Sequence, residues 1–172
     1  AVDIRWTDSS HPYPRLGSAL EPGVLAIEEG IIEIEFYSGA RLLAEGPAKL
    51  DLLSPYEVRC DFGTVRAIVP EPAQGFTIHT PSFELVDLGT EFAMDVAATG
   101  DAQVQVFDGE VELHAPNREK RSVLGGEVVA VDAAGASSKA AVGTVSYPTF
   151  DEVRTRSEIR AERNYRQWKR HS

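Results

Sequence analysis

Alternation of apolar and polar residues is densest between Gly75 and Met94, in the stretch GFTIHTPSFELVDLGTEFAM. Apolar side chains recur there at every second position, and the runs are interrupted at Pro81 and again at Gly89. A period of two places one set of side chains on one face of a β-strand, whereas a helix requires a period near 3.6. The stretch therefore predicts three short strands that fold back on one another with one face buried.

A glycine followed by an alternating apolar run recurs along the whole chain. Glycine supplies the positive φ that tight turns require, so each recurrence predicts a turn followed by a strand. The recurrences begin at Gly23, Gly30, Gly39, Gly63, Gly75, Gly89, Gly109 and Gly125. Their spacing is irregular, unlike the fixed period of a regular solenoid. The pattern predicts an all-β fold of many short strands, either an irregular β-sandwich or a β-solenoid-like domain.

Three connections in this pattern have specific predicted conformations. Gly46-Pro47 lies between two apolar runs and predicts a turn. Asp108-Gly109 is flanked by alternating runs on both sides, the sequence typical of a two-residue type I′ β-hairpin. Residues 133–144 are rich in Ala, Ser and Gly, which predicts a flexible connection.

The composition changes at Thr149, where the pattern becomes helical. Thr149 and Glu152 form a predicted capping box, and apolar residues then recur at helical spacing. We expect the helix to pack through Val153, Tyr165 and Trp168, or to lead to a following domain, with a solvated basic face. The predicted organisation is an extended lead-in over residues 1–22 with Trp6 docked on the body, a β domain over 23–148, and a helix or linker over 149–172.

Charge is unevenly distributed along the 172 residues, whose net charge is −10. Residues 151–172 carry seven Lys and Arg against four Asp and Glu, which leaves ten against 23 for residues 1–150. An acidic body argues against binding to phosphate backbones, so nucleic acid is not an expected partner.

Cys60 is the only cysteine, which excludes an internal disulfide and favours a buried apolar role. No apolar run approaches the roughly 20 residues of a membrane helix, so we expect neither a membrane helix nor a signal peptide within these residues. Because the only methionine is Met94, we expect a processed protein or a piece of a longer one.

Residues that could carry chemistry are scattered, and no phosphate-loop, dinucleotide-binding or metal-ligand motif occurs. The four histidines, His11, His79, His114 and His171, are far apart in the sequence. His79, with Ser82, Glu84 and Asp87 nearby, would suggest a nucleophilic triad, but no nucleophile elbow accompanies it, so a strand histidine is the preferred interpretation.

The remaining candidate features also have structural explanations. Glu33 and Glu35 share one face of a strand and are interpreted as solvated. The turn from Asp87 to Thr90 is interpreted as structural, with both side chains bonding turn amides; a contact with a ligand or partner is the alternative. We therefore expect no catalytic, cofactor-binding or metal-binding residues and no enzymatic activity.

The ordered series of motifs over residues 17–131 resembles FecR domains. It runs from AEGPAKLDL through GFTIHTP and VDLGTEFAMDV to VQVFDGEVEL and LGGEVVAV. The resemblance implies a non-enzymatic, periplasmic sensing or signal-transducing domain of a membrane-anchored regulator. Such a regulator acts through protein contacts on sigma-factor-dependent transcription, with a TonB-dependent receptor or another envelope protein as partner.

Two other function classes remain open from the sequence. A carbohydrate- or surface-binding accessory module would require exposed Trp or Tyr residues clustered beside carboxylates. A glycosidase would require two convergent carboxylates about 5–10 Å apart in a cleft.

Overall fold

The computed structural model describes residues 1–7, 17–143 and 145–171. Within these residues, twelve strands form one curled sheet, and one helix follows at the C-terminal end. The predicted all-β fold with a C-terminal helix is confirmed. The strands are β1 (Val2–Trp6), β2 (Gly23–Glu35), β3 (Arg41–Ser54), β4 (Glu57–Ile68), β5 (Thr77–His79), β6 (Glu84–Asp87), β7 (Glu91–Val96), β8 (Ala102–Asp108), β9 (Glu110–His114), β10 (Arg121–Leu124), β11 (Val128–Val131) and β12 (Ser137–Lys139). The helix α1 spans Phe150–His171.

Strand β4 is the centre of the sheet. Along one edge it pairs with β3, which continues to β2 and β1. Its other edge is shared, because Glu57–Arg59 pairs with β5 and residues 63–68 pair with β7. From β5 the sheet continues through β6 and β9 to β10, and from β7 through β8 and β11 to β12. In the described part of the chain, every strand pair is antiparallel except β4 with β5.

Strands β2, β3 and β4 are long and bent, which corrects the boundaries predicted at Gly30, Gly46-Pro47 and Gly63. All three positions lie inside a strand, and the pairing register shifts close to each. At Gly63 the backbone has φ +131°, and a Cβ would lie 2.5 Å from the Cβ of Ala48 on the neighbouring strand. Because Gly63 has no side chain, β4 can bend where Ala48 of β3 approaches it closely. The sheet curls around its inner face at this bend.

Two other predicted connections are also wrong. Strands β8 and β9 do not pair across Asp108-Gly109; β8 pairs with β7 and β11, whereas β9 pairs with β6 and β10. The chain thus crosses from one part of the sheet to another at this dipeptide. Within residues 133–144 the structure has a strand, β12, paired with β11 over Ser137–Lys139. Thr144 lies outside the described residues.

The hydrophobic core fills the inner face of the curled sheet. Phe36 and Phe76 meet there edge to face, with ring centroids 4.9 Å apart. Cys60 is fully buried in the same cluster, and burial raises the pKa of its thiol to about 12. The predicted apolar role of Cys60 is confirmed. Trp6 of β1 packs against the edge of this core, and residues 8–16 of the predicted lead-in lie outside the described residues.

The helix begins as the sequence predicts, but it packs differently. Thr149 N–H donates to Glu152 at 2.9 Å and Glu152 N–H donates to Thr149 Oγ1 at 3.1 Å, which confirms the capping box. Val153 is buried on the outer face of the sheet against Ile31 and Leu43. The packing predicted for Tyr165 and Trp168 is wrong, since these side chains are 58% and 65% exposed.

Candidate functional site

Two exposed leucines flank a glutamate on the outer face of the sheet, at β10, at β9 and just after β6. Leu124 of β10 is the register partner of Glu110, and Leu88 N–H donates to the carbonyl of Glu110 from the other side. Leu88 is 39% exposed and Leu124 is 51% exposed. Because neighbouring strands lie about 4.8 Å apart, the two leucines are roughly 10 Å apart with Glu110 between them.

The next row of the same face consists of Val86 of β6 and Glu112 of β9, which are register partners. We call Val86, Leu88, Glu110, Glu112 and Leu124 together the leucine–glutamate face. Its apolar side chains occupy the outward-facing positions of their strands, where solvent normally selects polar residues. Contact with another molecule would cover them.

Leu88 is held by hydrogen bonds on both sides of its turn. Its carbonyl accepts from Gln74 Nε2 at 3.0 Å, and its N–H donates to the Glu110 carbonyl at 3.1 Å. Asp87 Oδ2 accepts from Gly89 N–H at 2.7 Å, which confirms the predicted role of this carboxyl in the turn.

Burial also perturbs the pKa of the Asp87 carboxyl. It is fully buried, and neither its Oδ1 nor the hydroxyl of buried Thr90 has a hydrogen-bond partner in the described part of the chain. The predicted bond from the Thr90 side chain to a turn amide is therefore wrong. Burial raises the pKa of Asp87 to about 7, and the hydrogen bond from Gly89 opposes this rise.

The 87–90 turn packs directly on Gly109. A Cβ on Gly109 would lie 2.4 Å from the carbonyl oxygen of Gly89 and 2.6 Å from Cγ2 of Thr90. Only glycine permits this approach, and the approach directs the chain from β8 across to β9. The same contact explains why Asp108-Gly109 does not close a hairpin.

His79 lies between two carboxylates of neighbouring strands. Its Nε2 is 3.0 Å from Glu57 Oε2, and its Nδ1 is 3.1 Å from Glu84 Oε1. The two carboxylates meet opposite ring nitrogens, so they do not converge on one point. Ser82 donates instead to the carbonyl of Gly100 at 2.7 Å, and Asp87 caps its own turn. The structure therefore does not bring these residues together as a nucleophilic triad.

The other histidines do not assemble a centre either. His114 Nε2 is 3.0 Å from Glu112, and that hydrogen bond, together with Lys120, lowers the pKa of Glu112. His11 and the side chain of His171 lie outside the description. Across residues 1–7, 17–143 and 145–171, no group of three or more His, Cys, Asp or Glu side chains is arranged to hold a metal ion.

A groove of about 510 Å³ lies between the helix and the first two strands. Trp6 and Ile32 contribute to its apolar wall, and Glu33, Arg160 and Asn164 contribute polar groups. Arg160 is bound to Asp3 at 3.2 Å, and Glu33 is bound to Arg41, so both charges are already paired at the rim of the groove.

Residues 49–112 match the family described as FecR protein. The FecR resemblance is confirmed. The matched segment runs from β3 to β9 and includes Val86, Leu88, Glu110 and Glu112 of the leucine–glutamate face. No curated protein matches the chain. No helix among the described residues is long and apolar enough to cross a membrane.

The fold also resembles two crystal structures of a "putative anti-sigma factor" from Parabacteroides distasonis. Each superposes with a TM-score of 0.60 at 15% sequence identity. The match covers 68% of this chain and 58% of the other, so the chain corresponds to little more than half the length of that protein. At this identity the likeness is one of fold.

Sequence reasoning missed the leucine–glutamate face, although a signal was present. In FELVDL, Val86 and Leu88 occupy the same alternate positions as Glu84, whose side chain points to solvent. Both are apolar where the alternation predicts a polar residue. Leu124 is similarly outward in RSVL. Adjacency of these residues depends on the pairing of β6 with β9 and of β9 with β10, which alternation within single strands does not specify.

Proposed function

We propose that this chain is a non-enzymatic regulatory domain that transmits a signal through protein contacts. The observation that carries the proposal is the FecR match over residues 49–112. The exposed leucines of the leucine–glutamate face support it, because they lie in or beside the matched segment and suit burial by another protein. We further propose that the domain lies in the periplasm as part of a membrane-anchored regulator. There it would relay the state of an envelope receptor to sigma-factor-dependent transcription.

The test is capture of partners from a native envelope extract on the immobilised domain, followed by mass spectrometry. We expect an outer-membrane receptor or a membrane-anchored sigma-factor regulator to be retained. The matched control is the double substitution Leu88→Asp and Leu124→Asp, which should reduce retention because two charges would replace the apolar contacts. If the original domain retains neither class of protein, the signalling proposal is wrong; equal retention by the variant would mean that the contact lies outside the leucine–glutamate face.

Carbohydrate binding is the second candidate, because Trp6 and Glu33 line the same groove. An indole face can stack on a sugar ring, and polar groups elsewhere in the groove can hydrogen-bond to it. Retention on a polysaccharide column that is lost in the Trp6→Ala variant would favour this function. Retention that is equal for both proteins, or absent from both, would exclude it.

A further inference from the structure

The last two turns of α1 form a projecting basic surface. Residues 163–170 have the sequence RNYRQWKR, with four Lys or Arg and no acidic residue; we call them the basic helix end. The contacts that anchor the helix lie before this segment, where Val153 is buried and Arg156 and Arg160 pair with Asp3. At 1.5 Å per residue the basic helix end extends about 12 Å.

Two aromatic side chains give this surface an apolar component. Tyr165 and Trp168 are three residues apart, so they lie on one side of the helix, and their ring centroids are 6.2 Å apart. Both are more than half exposed. Exposed aromatic residues beside arginines are typical of the centre of a protein interface, where they contribute most of the binding energy.

The leucine–glutamate face has the complementary chemistry. It presents Leu88 and Leu124 with Glu110 between them, and Glu112 lies in the adjacent row, where it pairs with His114 and Lys120. Glu84, the first residue of β6, adds a further carboxylate, which pairs with His79. Aromatic rings would cover the leucines while Lys169 and Arg170 approach Glu110.

We propose that the chain self-associates, with the basic helix end of one copy docked on the leucine–glutamate face of a second copy. The charge distribution favours this occupant, since seven cations against four anions in residues 151–172 face a body with ten against 23. The same acidic body disfavours a nucleic acid or an anionic membrane as the partner of the helix, because it would be repelled by either. Self-association does not depend on the regulatory role proposed above.

The expected association is weak. Stable interfaces bury about 800 Å² on each partner, and two helical turns on three short strands cover less than this. The complex should therefore form in a concentration-dependent manner. It should also weaken as salt rises, because part of its attraction is between exposed charges.

Sedimentation velocity of the purified chain, over roughly 5–500 µM and at low and high salt, tests the proposal. We expect a shift toward a larger species as concentration rises, and a smaller shift at high salt. A chain that stays monomeric at the highest concentration overturns the proposal.

A charge exchange identifies the two surfaces. The acidic-helix variant carries Lys169→Glu and Arg170→Glu, and the basic-face variant carries Glu110→Lys. Each variant alone should associate at least about tenfold more weakly than the original chain, because like charges meet. An equimolar mixture should recover association, since the unaltered helix end of the basic-face variant can dock on the unaltered face of the acidic-helix variant, and the two altered surfaces also have opposite charges.

Glu35→Lys is the matched control, because it makes the same charge change at an exposed position on β2. It should leave association unchanged. Circular dichroism confirms that each variant is folded. Association that persists in both single-surface variants, or a mixture of folded variants that does not recover it, refutes the proposed pair of surfaces.

Discussion

Substitution of Gly109 by alanine tests the close contact that separates β8 from β9. Gly109 has φ +87°, and Gly126 has nearly the same conformation with φ +91°. A Cβ on Gly109 would lie 2.4 Å from the Gly89 carbonyl oxygen, whereas a Cβ on Gly126 would meet nothing within 4 Å. Both substitutions incur the cost of about 1–2 kcal/mol for an L-residue in the left-handed region. Only Gly109→Ala adds a steric overlap, which costs about 1–3 kcal/mol in a packed site.

We therefore expect Gly126→Ala to lower the free energy of unfolding by about 1–2 kcal/mol and Gly109→Ala to lower it by about 2–5 kcal/mol. The assay is urea unfolding monitored by far-UV circular dichroism, with both variants at one pH and temperature. The difference between the variants isolates the overlap, because the loss of glycine's backbone freedom is common to both. Equal destabilisation of the two variants would refute the argument that the 87–90 turn packs on Gly109.

Three further predictions concern single groups. Asp87→Asn should remove a pH dependence of stability. Because burial raises the pKa of Asp87 from 3.8 to about 7, its contribution to stability is full below pH 3.8 and is lost as pH rises through 7. Between pH 5 and 8 the original chain should lose about 3 kcal/mol of unfolding free energy relative to the Asn variant, measured by urea titration; parallel pH profiles would contradict this, and Glu119→Gln, at an exposed position, serves as control. Thr149→Ala should remove the cap of α1, at a cost of about 1 kcal/mol, and so accelerate amide hydrogen exchange in the first helical turn about fivefold; unchanged exchange there would show that the cap does not stabilise the helix. The Cys60 thiol, buried and with a pKa raised to about 12, should resist a thiol reagent in the folded protein at pH 8 and react fully in denaturant; rapid labelling of the folded protein would mean that the core around β4 opens.

The sequence by itself determined the class of fold and the local devices within it. Alternation placed Phe76 and Ile78 inside, because successive side chains of a strand point to opposite faces. Thr149 and Glu152 specified the start of the helix, because a capping box is formed within four consecutive residues. The ordered motifs that resemble FecR domains were likewise readable, and the FecR match over residues 49–112 agrees with them.

Only the tertiary structure decided which strands pair and which residues meet. Gly63 reads as a turn in the sequence, but it lies inside a bent strand because Ala48 approaches from the neighbour. Asp108-Gly109 reads as a hairpin, but its glycine packs on a turn 20 residues earlier in the chain. The helical spacing of Trp168 cannot reveal whether another element covers it. Pairing, close approach and burial depend on contacts between residues far apart in sequence, and local periodicity carries no record of those contacts.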